Sequence, residues 1–167
     1  ATAALPLDDA SSLTIAVTDQ RVAGSNRKLV YHPATLALGI GCERGAESEE
    51  VMSLMRSTLD DADLAEAAVA AVVSIDLKAD EEAVLAAAAS LGVPARFFDA
   101  ATLETETPRL ANPSETVFRA VGCHGVAEGA ALVAAGRDGK LLVAKTKSVR
   151  ATCAIARAVR PIDAMAI

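Results

Sequence analysis

Short apolar segments alternate along this chain with alanine-rich segments of helical periodicity. Strands that alternate with helices form one sheet covered by helices on both faces. The pattern therefore predicts an α/β fold, a three-layer α/β/α arrangement with a single sheet that is largely parallel or mixed. Aromatic residues are only 2% of the 167 residues, so the core must pack small and aliphatic side chains. The predicted strands are residues 13–17, 28–31, 35–41, 68–76, 95–98, 140–147 and 152–159.

Helix-start and helix-end signals place the helices between these strands. Asp80 is expected to cap one helix, with Leu85 facing inward and Gly92 ending it. Asn112 is expected to cap another helix, with Pro113 at its first helical position. The predicted helical segments are residues 46–59, 81–92, 112–122 and 125–136.

Three glycines follow the third predicted strand, in the stretch GIGCERG at residues 39–45. A strand that runs through glycines into a helix can present backbone N–H groups to an anion. The spacing matches neither the G-x-G-x-x-G of dinucleotide-binding folds nor a loop ending in Gly-Lys-Ser/Thr, and the acids that follow would repel a phosphate. We therefore favour a ligand-facing loop at the carboxyl end of a strand, with Arg44 binding a carboxylate.

A second polar segment, SIDLKADE at residues 74–81, also follows a predicted strand. Alternation would place Ser74, Asp76 and Lys78 on one side, which puts an acid or base next to a cation at the mouth of the sheet. The alternative needs no ligand: Asp80 caps a helix, the acids after it favour the helix dipole, and Lys78 is solvated. The spacing alone leaves both interpretations open.

Two further helix starts supply candidates. Ser114 and Glu115 could face a ligand, although helix capping explains both. His124 follows Cys123 between two glycines, but adjacent residues do not share a helix face, so a Cys/His catalytic pair is not expected. Glu128, one turn into the next helix, could act as an acid or base or could only favour the helix dipole.

Charge is distributed unevenly along the chain. The net charge of −6 argues against general nucleic-acid binding. Residues 136–160, however, contain seven Lys or Arg and a single acid. This segment could hold an anionic ligand, with Lys145 and Lys147 on the same side of a predicted strand. The alternative is that lysines protect the edge of a solvated strand from pairing.

The sequence carries no signal for a metal, a cofactor or a membrane span. Its three cysteines lie far apart and it has only two histidines, so neither a zinc site nor a disulfide framework is predicted. No apolar run has the length of a membrane-spanning helix. We therefore expect a cytoplasmic protein that uses no cofactor and binds neither nucleic acid nor membranes.

Four stretches carry a family resemblance: LALGIGCERGAESEEV, SIDLKADEEAVLAAAASLGVPARFF, PSETVFRAVGCHGVAEGAALVAAG and KLLVAKTKSVRATCAIARA. Their order over residues 35–158 resembles the CbiG/CobE C-terminal domain family of cobalamin biosynthesis. The resemblance implies that residues 34–158 form this domain. It also implies that residues 1–33 are the tail of a preceding region with short strands, and that residues 159–167 are a linker to a following domain.

The resemblance also implies chemistry on a corrinoid intermediate. Complete CbiG-type proteins are cobalt-precorrin-5A hydrolases, which open a lactone on ring A and release acetaldehyde. The first expectation is therefore a domain of such a hydrolase. The alternative is a non-catalytic CobE-type module that binds a precorrin intermediate and serves a fused or partner precorrin methyltransferase. Whether the domain is catalytic without the region that precedes it in complete CbiG proteins stays open at this point.

Lactone opening requires a base that activates water and a group that stabilises the developing oxyanion. Asp76 and Glu128 are the candidate bases. The glycine loop, the basic side chains and the polar helix starts are candidates for binding the ligand's carboxylates or the oxyanion. The candidate ligand-binding residues are Gly39, Gly41, Cys42, Arg44, Gly45, Ser74, Lys78, Ser114, Glu115, His124, Gly125, Lys145 and Lys147.

Overall fold

A computed structural model describes residues 13–163 of the chain. Residues 1–12, in the predicted N-terminal region, and residues 164–167, in the predicted terminal linker, lie outside the described residues. The strands are β1 (Thr14–Val17), β2 (Lys28–Tyr31), β3 (Leu36–Cys42), β4 (Val69–Ile75), β5 (Ala95–Phe98), β6 (Lys140–Lys147) and β7 (Ala151–Arg157). The α-helices are α1 (Ser48–Asp61), α2 (Glu82–Leu91), α3 (Ala100–Glu104), α4 (Glu115–Val121) and α5 (Val126–Ala135).

Five of the strands form one mixed sheet in the order β5-β4-β3-β7-β6. β3, β4 and β5 are parallel, whereas β7 runs antiparallel to both β3 and β6. The predicted α/β fold with a mixed sheet is confirmed. β1 and β2 form a separate two-stranded parallel sheet, which the prediction of a single sheet did not include.

The alternation of large and small residues along β3 determines which helix packs on each face. Leu36, Leu38 and Ile40 are fully buried on the face covered by α1 and α2. On the other face, a Cβ added at Gly39 would lie 1.9 Å from the carbonyl oxygen of Ala127 in α5. Only glycine therefore allows α5 to approach this strand so closely, and the approach fixes the height of α5 above the sheet.

The helices on the two faces differ in length and in what they bury. α1 places five side chains at helical spacing on one face, and all five are buried. They pack against α2 and against one face of the sheet. The five residues are Val51, Leu54, Met55, Thr58 and Leu59. On the opposite face, α5 buries seven of its ten residues, most of them alanine.

Two predicted helix starts are wrong. α2 begins at Glu82 after Glu81, and Asp80 instead forms an ion pair with Arg44 at 2.7 Å. α4 begins at Glu115, with Ser114 as the capping residue. Asn112 does not cap it because its N–H and side-chain amide are both bonded to a carboxylate elsewhere.

Leu85 was predicted to face inward but is 43% exposed, because its position on α2 points away from both α1 and the sheet. Val84 and Ala88 are buried as expected. Gly92 ends the helix in the left-handed conformation that its sequence position predicted.

No single helix among residues 13–163 is long and apolar enough to cross a membrane. α4 and α5 pass that test together by length and composition, but the chain bends by 79° between them.

Candidate functional site

A cleft of about 740 Å³ opens among the described residues. It opens at the edge of the sheet where β3, β4 and β6 reach their carboxyl ends and β7 begins. The lining comes from four segments, residues 41–44, 75–78, 112–128 and 145–152. The cleft thus occupies the position where open α/β sheets bind ligands.

One wall of the cleft is apolar. α4 contributes Val117, Ala120 and Val121, and the start of α5 contributes Val126. Val149, at the tip of the turn between β6 and β7, also lines the cleft and is 91% exposed. Apolar side chains from separate segments of an open cleft are suited to a flat, largely apolar ligand surface.

Two arginines stand at the rim in fixed positions. Arg44 forms an ion pair with Asp80 at 2.7 Å and donates to the carbonyl oxygen of Leu77 at 2.9 Å. Arg150 pairs with Glu43 at 3.1 Å and donates to the carbonyl oxygens of Gly45 and Arg44. Because these partners are largely exposed, both guanidinium groups remain within reach of an anionic ligand.

Two lysines from β6 extend the positive rim. Lys145 donates from Nζ to the carbonyl oxygen of Asn112 at 3.0 Å. The side chain of Lys147 lines the cleft and has no hydrogen bond or ion pair with any of the described residues. With the two arginines and Lys78, the cleft is lined by five cationic side chains.

Glu128 lines the cleft but is only 2% exposed. Its Oε2 accepts the backbone N–H groups of Ala111 and Asn112 at 2.8 and 3.0 Å, and its Oε1 accepts the side chain of Asn112 and the backbone N–H of Lys145. Burial disfavours the charged form, but these four donors outweigh it and hold the pKa of Glu128 below its usual value. Since every acceptor site is occupied, the carboxylate joins α5, β6 and the loop before α4.

Glu81, 5% exposed, is a second buried carboxylate; it does not line the cleft but lies beside Lys78, which does. Its Oε1 accepts the backbone N–H of Gly45 at 2.8 Å. Its Oε2 lies 3.6 Å from Nζ of Lys78 and has no hydrogen-bond partner among the described residues. Lys78 and Cys42 line the cleft beside it, and burial raises the pKa of the Cys42 thiol although Lys78 opposes that shift.

His124 lies outside the cleft lining, behind α4. Its Nδ1 is 2.9 Å from Glu104, its Nε2 is 3.3 Å from Glu115, and its ring stacks on Phe118 with 4.5 Å between the ring centroids. The hydrogen bond that His124 donates to Glu104 raises the pKa of His124 against a smaller effect of burial, and Glu115 adds to the rise. Because α4 buries none of its residues, this cluster is its main polar attachment.

The family model described as "Cobalamin synthesis G C-terminus" matches residues 36–156. This chain belongs to that family. The CobE protein of a Sinorhizobium species is 56% identical over 123 residues, which cover 74% of this chain and 80% of that protein. The cobalt-precorrin-5A hydrolase of Priestia megaterium is 34% identical over 128 residues, which cover 77% of this chain but 33% of the hydrolase. The chain is thus a cobalamin-biosynthesis protein of the CobE/CbiG type that spans about a third of that hydrolase's length.

Solved structures of family members have the same fold. A crystal structure of CobE superposes with a TM-score of 0.69 at 39% identity, covering 76% of this chain and 92% of CobE. The cobalamin biosynthesis protein chiG from Agrobacterium tumefaciens gives a TM-score of 0.58 at 27% identity, covering 74% of this chain and 98% of chiG. The resemblance inferred from four sequence stretches is confirmed by these matches.

The cleft of this CbiG/CobE-type domain brings together most of the residues predicted from sequence. Nine of them line it. Their roles in binding remain predictions, but their convergence from four separate segments is a property of the fold. The nine are Gly41, Cys42, Arg44, Lys78, Ser114, Gly125, Glu128, Lys145 and Lys147.

Six predicted site residues do not line the cleft. Gly39 packs against α5, Gly45 forms a turn with φ of 67°, and Ser74 is buried with its hydroxyl donated to the carbonyl oxygen of Ile40. Asp76 is exposed because the strand ends at Ile75 and a 3₁₀ turn over Asp76–Lys78 breaks the expected alternation. The other two are Glu115 and His124, which bond to each other behind α4.

Sequence reasoning missed four residues that shape the site. Asn112 was treated only as a helix cap and Glu81 only as a dipole charge. Val149 and Arg150 stand in a polar turn without helix or strand periodicity. The available signal was the position of that turn: a turn that joins two strands of a sheet lies at the sheet edge, where the ligand-facing loops also meet.

Proposed function

We propose that this domain binds a precorrin-type tetrapyrrole intermediate in the cleft at the carboxyl ends of β3 and β4. The observation that carries the proposal is the combination of an apolar wall from α4 with five cationic side chains at the rim. A tetrapyrrole intermediate has the matching chemistry, because it is a flat macrocycle with carboxylate side chains at its periphery. The names of the relatives, CobE and cobalt-precorrin-5A hydrolase, support the same ligand class.

In this proposal the macrocycle packs between α4 and the turn that carries Val149. The peripheral carboxylates then reach Arg44, Arg150 and the two β6 lysines. Lys147 is the best placed to bind without losing an existing contact, since its side chain has no partner among the described residues. These four cations give orientation as well as affinity, because the carboxylates of the ligand are fixed relative to one another.

The test compares two lysines on the same strand. Lys147→Gln removes a cation at the cleft, and Lys140→Gln removes one at the far end of β6, opposite Arg157. Titration of cobalt-precorrin-5A into each protein, followed by absorbance, should give a dissociation constant about 5- to 10-fold higher for Lys147→Gln. The Lys140→Gln value should equal the wild-type value. Equal affinities for the two variants would contradict the proposed site.

A second candidate function is opening of the ring-A lactone of cobalt-precorrin-5A, with release of acetaldehyde. Two observations favour it: the similarity to a cobalt-precorrin-5A hydrolase, and a pair between Lys78 and the buried Glu81 close to the end of β4. The test is acetaldehyde release from cobalt-precorrin-5A by the purified chain, measured with a coupled dehydrogenase. Binding without release would leave a tetrapyrrole-binding module, which is the CobE-type alternative.

The assignment of Asp76 and Glu128 as catalytic bases stays a prediction, and the geometry favours neither. Asp76 does not line the cleft. Glu128 has four hydrogen-bond donors on its two oxygens, so it has no acceptor site left for a proton from water. If the domain is catalytic, the reacting groups are therefore expected elsewhere in the cleft.

The proposal also covers the bounds of the domain, its protein partner and its location. We propose that residues 34–158 are the functional unit, with residues 1–33 and 159–167 connecting it to other regions. A precorrin methyltransferase, fused or separate, is the proposed partner that receives the ligand. The three free cysteines are consistent with a cytoplasmic location. Co-elution of a purified methyltransferase with the chain, in the presence and absence of cobalt-precorrin-5A, tests the partnership.

A further inference from the structure

The carboxylate of Glu81 is buried but not fully bonded. Only Oε1 accepts a hydrogen bond, from the backbone N–H of Gly45. Oε2 has no hydrogen-bond partner among the described residues and lies 3.6 Å from Nζ of Lys78 and 3.7 Å from Arg44. A buried carboxylate oxygen without a partner is costly, so its retention points to a role in holding a cation or in contacting a ligand.

Lys78 differs from the other cations that line the cleft. Its side chain is only 14% exposed, whereas Arg44 is 62% exposed. Arg44, Arg150 and Lys145 are each bonded to carbonyl oxygens of the protein. The partner of Lys78 within the described residues is the Glu81 carboxylate, at a separation that leaves its N–H donors available.

We propose that Lys78 is the catalytic cation for lactone opening, and that Glu81 is the residue that positions it. This inference rests on the second candidate function, because it names the groups that would perform the chemistry of the cleft. Lys78 lies immediately after β4 and lines the cleft. An ammonium group held there by a buried carboxylate is pre-organised to stabilise an oxyanion.

The reaction requires one water molecule and no redox partner. Water adds to the lactone carbonyl carbon, and the Lys78 ammonium stabilises the negative charge that develops on the carbonyl oxygen. The ring C–O bond then breaks, and the departing alkoxide takes a proton from Lys78, which regains one from the water that attacked. The products of this step are one carboxyl group and one hydroxyl group, and Lys78 is again an ammonium ion.

The charged groups around Lys78 favour this assignment over a thiol nucleophile. Cys42 lies on β3 beside Lys78, and burial raises the pKa of its thiol despite the nearby cations, so the thiolate form is disfavoured. Asp80 is committed to Arg44, and Arg150 to Glu43. Glu81 is consequently the carboxylate within 4 Å of Lys78 in the described structure.

Two variants and two matched controls test the inference. Lys78→Met keeps the aliphatic stem and removes the charge, and Lys140→Met makes the same change at the far end of β6. Glu81→Gln keeps the acceptor for Gly45, and Glu82→Gln changes the adjacent, exposed acid. Turnover of cobalt-precorrin-5A, followed by mass spectrometry as the disappearance of the substrate, should fall about 100-fold or more in Lys78→Met. The dissociation constant should change by less than about threefold.

Glu81→Gln should lower kcat about 10-fold and leave KM within about twofold of the wild-type value, because the carboxylate positions Lys78 for the transition state. A residue that only stabilises the fold would lower kcat no further than it lowers the folded fraction, which circular dichroism measures. Both control variants should retain the wild-type kcat and KM.

The outcomes separate this inference from the proposed binding function. Turnover by Lys78→Met within threefold of wild type would overturn the inference. A wild-type chain that binds the substrate without opening the lactone would also overturn it. In both cases the proposed binding function would remain supported. A wild-type chain that does not bind cobalt-precorrin-5A would overturn both. Equal losses of turnover and affinity in Lys78→Met would assign Lys78 to carboxylate binding and overturn its catalytic role.

Discussion

Two buried carboxylates, Glu128 at the cleft and Glu81 beside it, stand in similar places and have different surroundings. Each lies at the start of an alanine-rich helix, Glu128 in the first turn of α5 and Glu81 just before α2. Glu128 accepts four hydrogen bonds. Glu81 accepts one, and its other oxygen has no hydrogen-bond partner among the described residues. Sequence alone describes both as acids that favour a helix dipole.

The difference separates a structural role from a chemical one. The four donors to Glu128 come from the loop before α4 and from β6, so this carboxylate holds two walls of the cleft together. The single donor to Glu81 comes from the glycine loop, and the remaining oxygen faces a lysine. Among carboxylates of equal burial, the number of donors therefore indicates which one is available to act on a ligand.

Replacement of Glu128 should have the largest effect on stability. Glu128→Ala removes the acceptor for three backbone N–H groups and the Asn112 amide. The free energy of unfolding should fall by about 3 to 5 kcal/mol, because buried donors are left unsatisfied. Urea denaturation followed by circular dichroism measures the change.

Glu82→Ala is the matched control for that experiment, since Glu82 is an exposed acid at the start of α2. It should change the free energy of unfolding by less than about 0.5 kcal/mol. A loss of similar size in both variants would mean that helix-dipole charge, rather than the four hydrogen bonds, determines the effect of Glu128.

Acid should weaken the fold through Glu128. Because the folded-state pKa of Glu128 lies below the ordinary value of 4.5, its contribution to stability is present above pH 4.5 and is lost as the pH falls through the folded-state pKa. Glu128→Gln should therefore show a shallower loss of stability below pH 4.5 than the wild type in urea denaturation at several pH values. Parallel curves for the two proteins would contradict this assignment.

The smallest predicted effect concerns the attachment of α4. The pKa of His124 is raised above 6.5 by Glu104 and Glu115, so the contribution of this cluster is present below pH 6.5 and is lost as the pH rises through the folded-state pKa. Hydrogen exchange of α4 should accelerate over that range in the wild type. In His124→Gln the exchange rate, corrected for the intrinsic effect of pH, should stay constant; a rise equal to that of the wild type would assign the change to another group.

The fold was largely predictable because its determinants are local. The alternation of Leu36, Leu38 and Ile40 with smaller residues identifies a strand covered on both faces. The inward residues of α1 follow from helical periodicity. The predicted starts of α2 and α4 were wrong because Asp80 and Asn112 contact residues distant in sequence, Arg44 and Glu128. Such contacts outweigh the capping preferences of the two residues.

The sequence predicts which segments form the site better than it predicts what each side chain does there. The glycine loop and the β6 lysines converge because both lie at one edge of the sheet. The importance of Arg150 and the difference between Glu81 and Glu128 depend on the number of hydrogen-bond donors in three dimensions. Periodicity and spacing carry no information on that number.

Hydrogen exchange of the purified chain with and without cobalt-precorrin-5A tests the central claim, that the cleft at the carboxyl ends of β3 and β4 binds the tetrapyrrole. Slower exchange should appear in α4 and in the turn over residues 148–150, which both line the cleft. The chain also has a second cleft of about 640 Å³, lined by Arg96, Arg137 and Arg160. Protection of residues 134–138 and 158–163 around that second cleft, with no change in α4, would contradict binding at the carboxyl ends of β3 and β4.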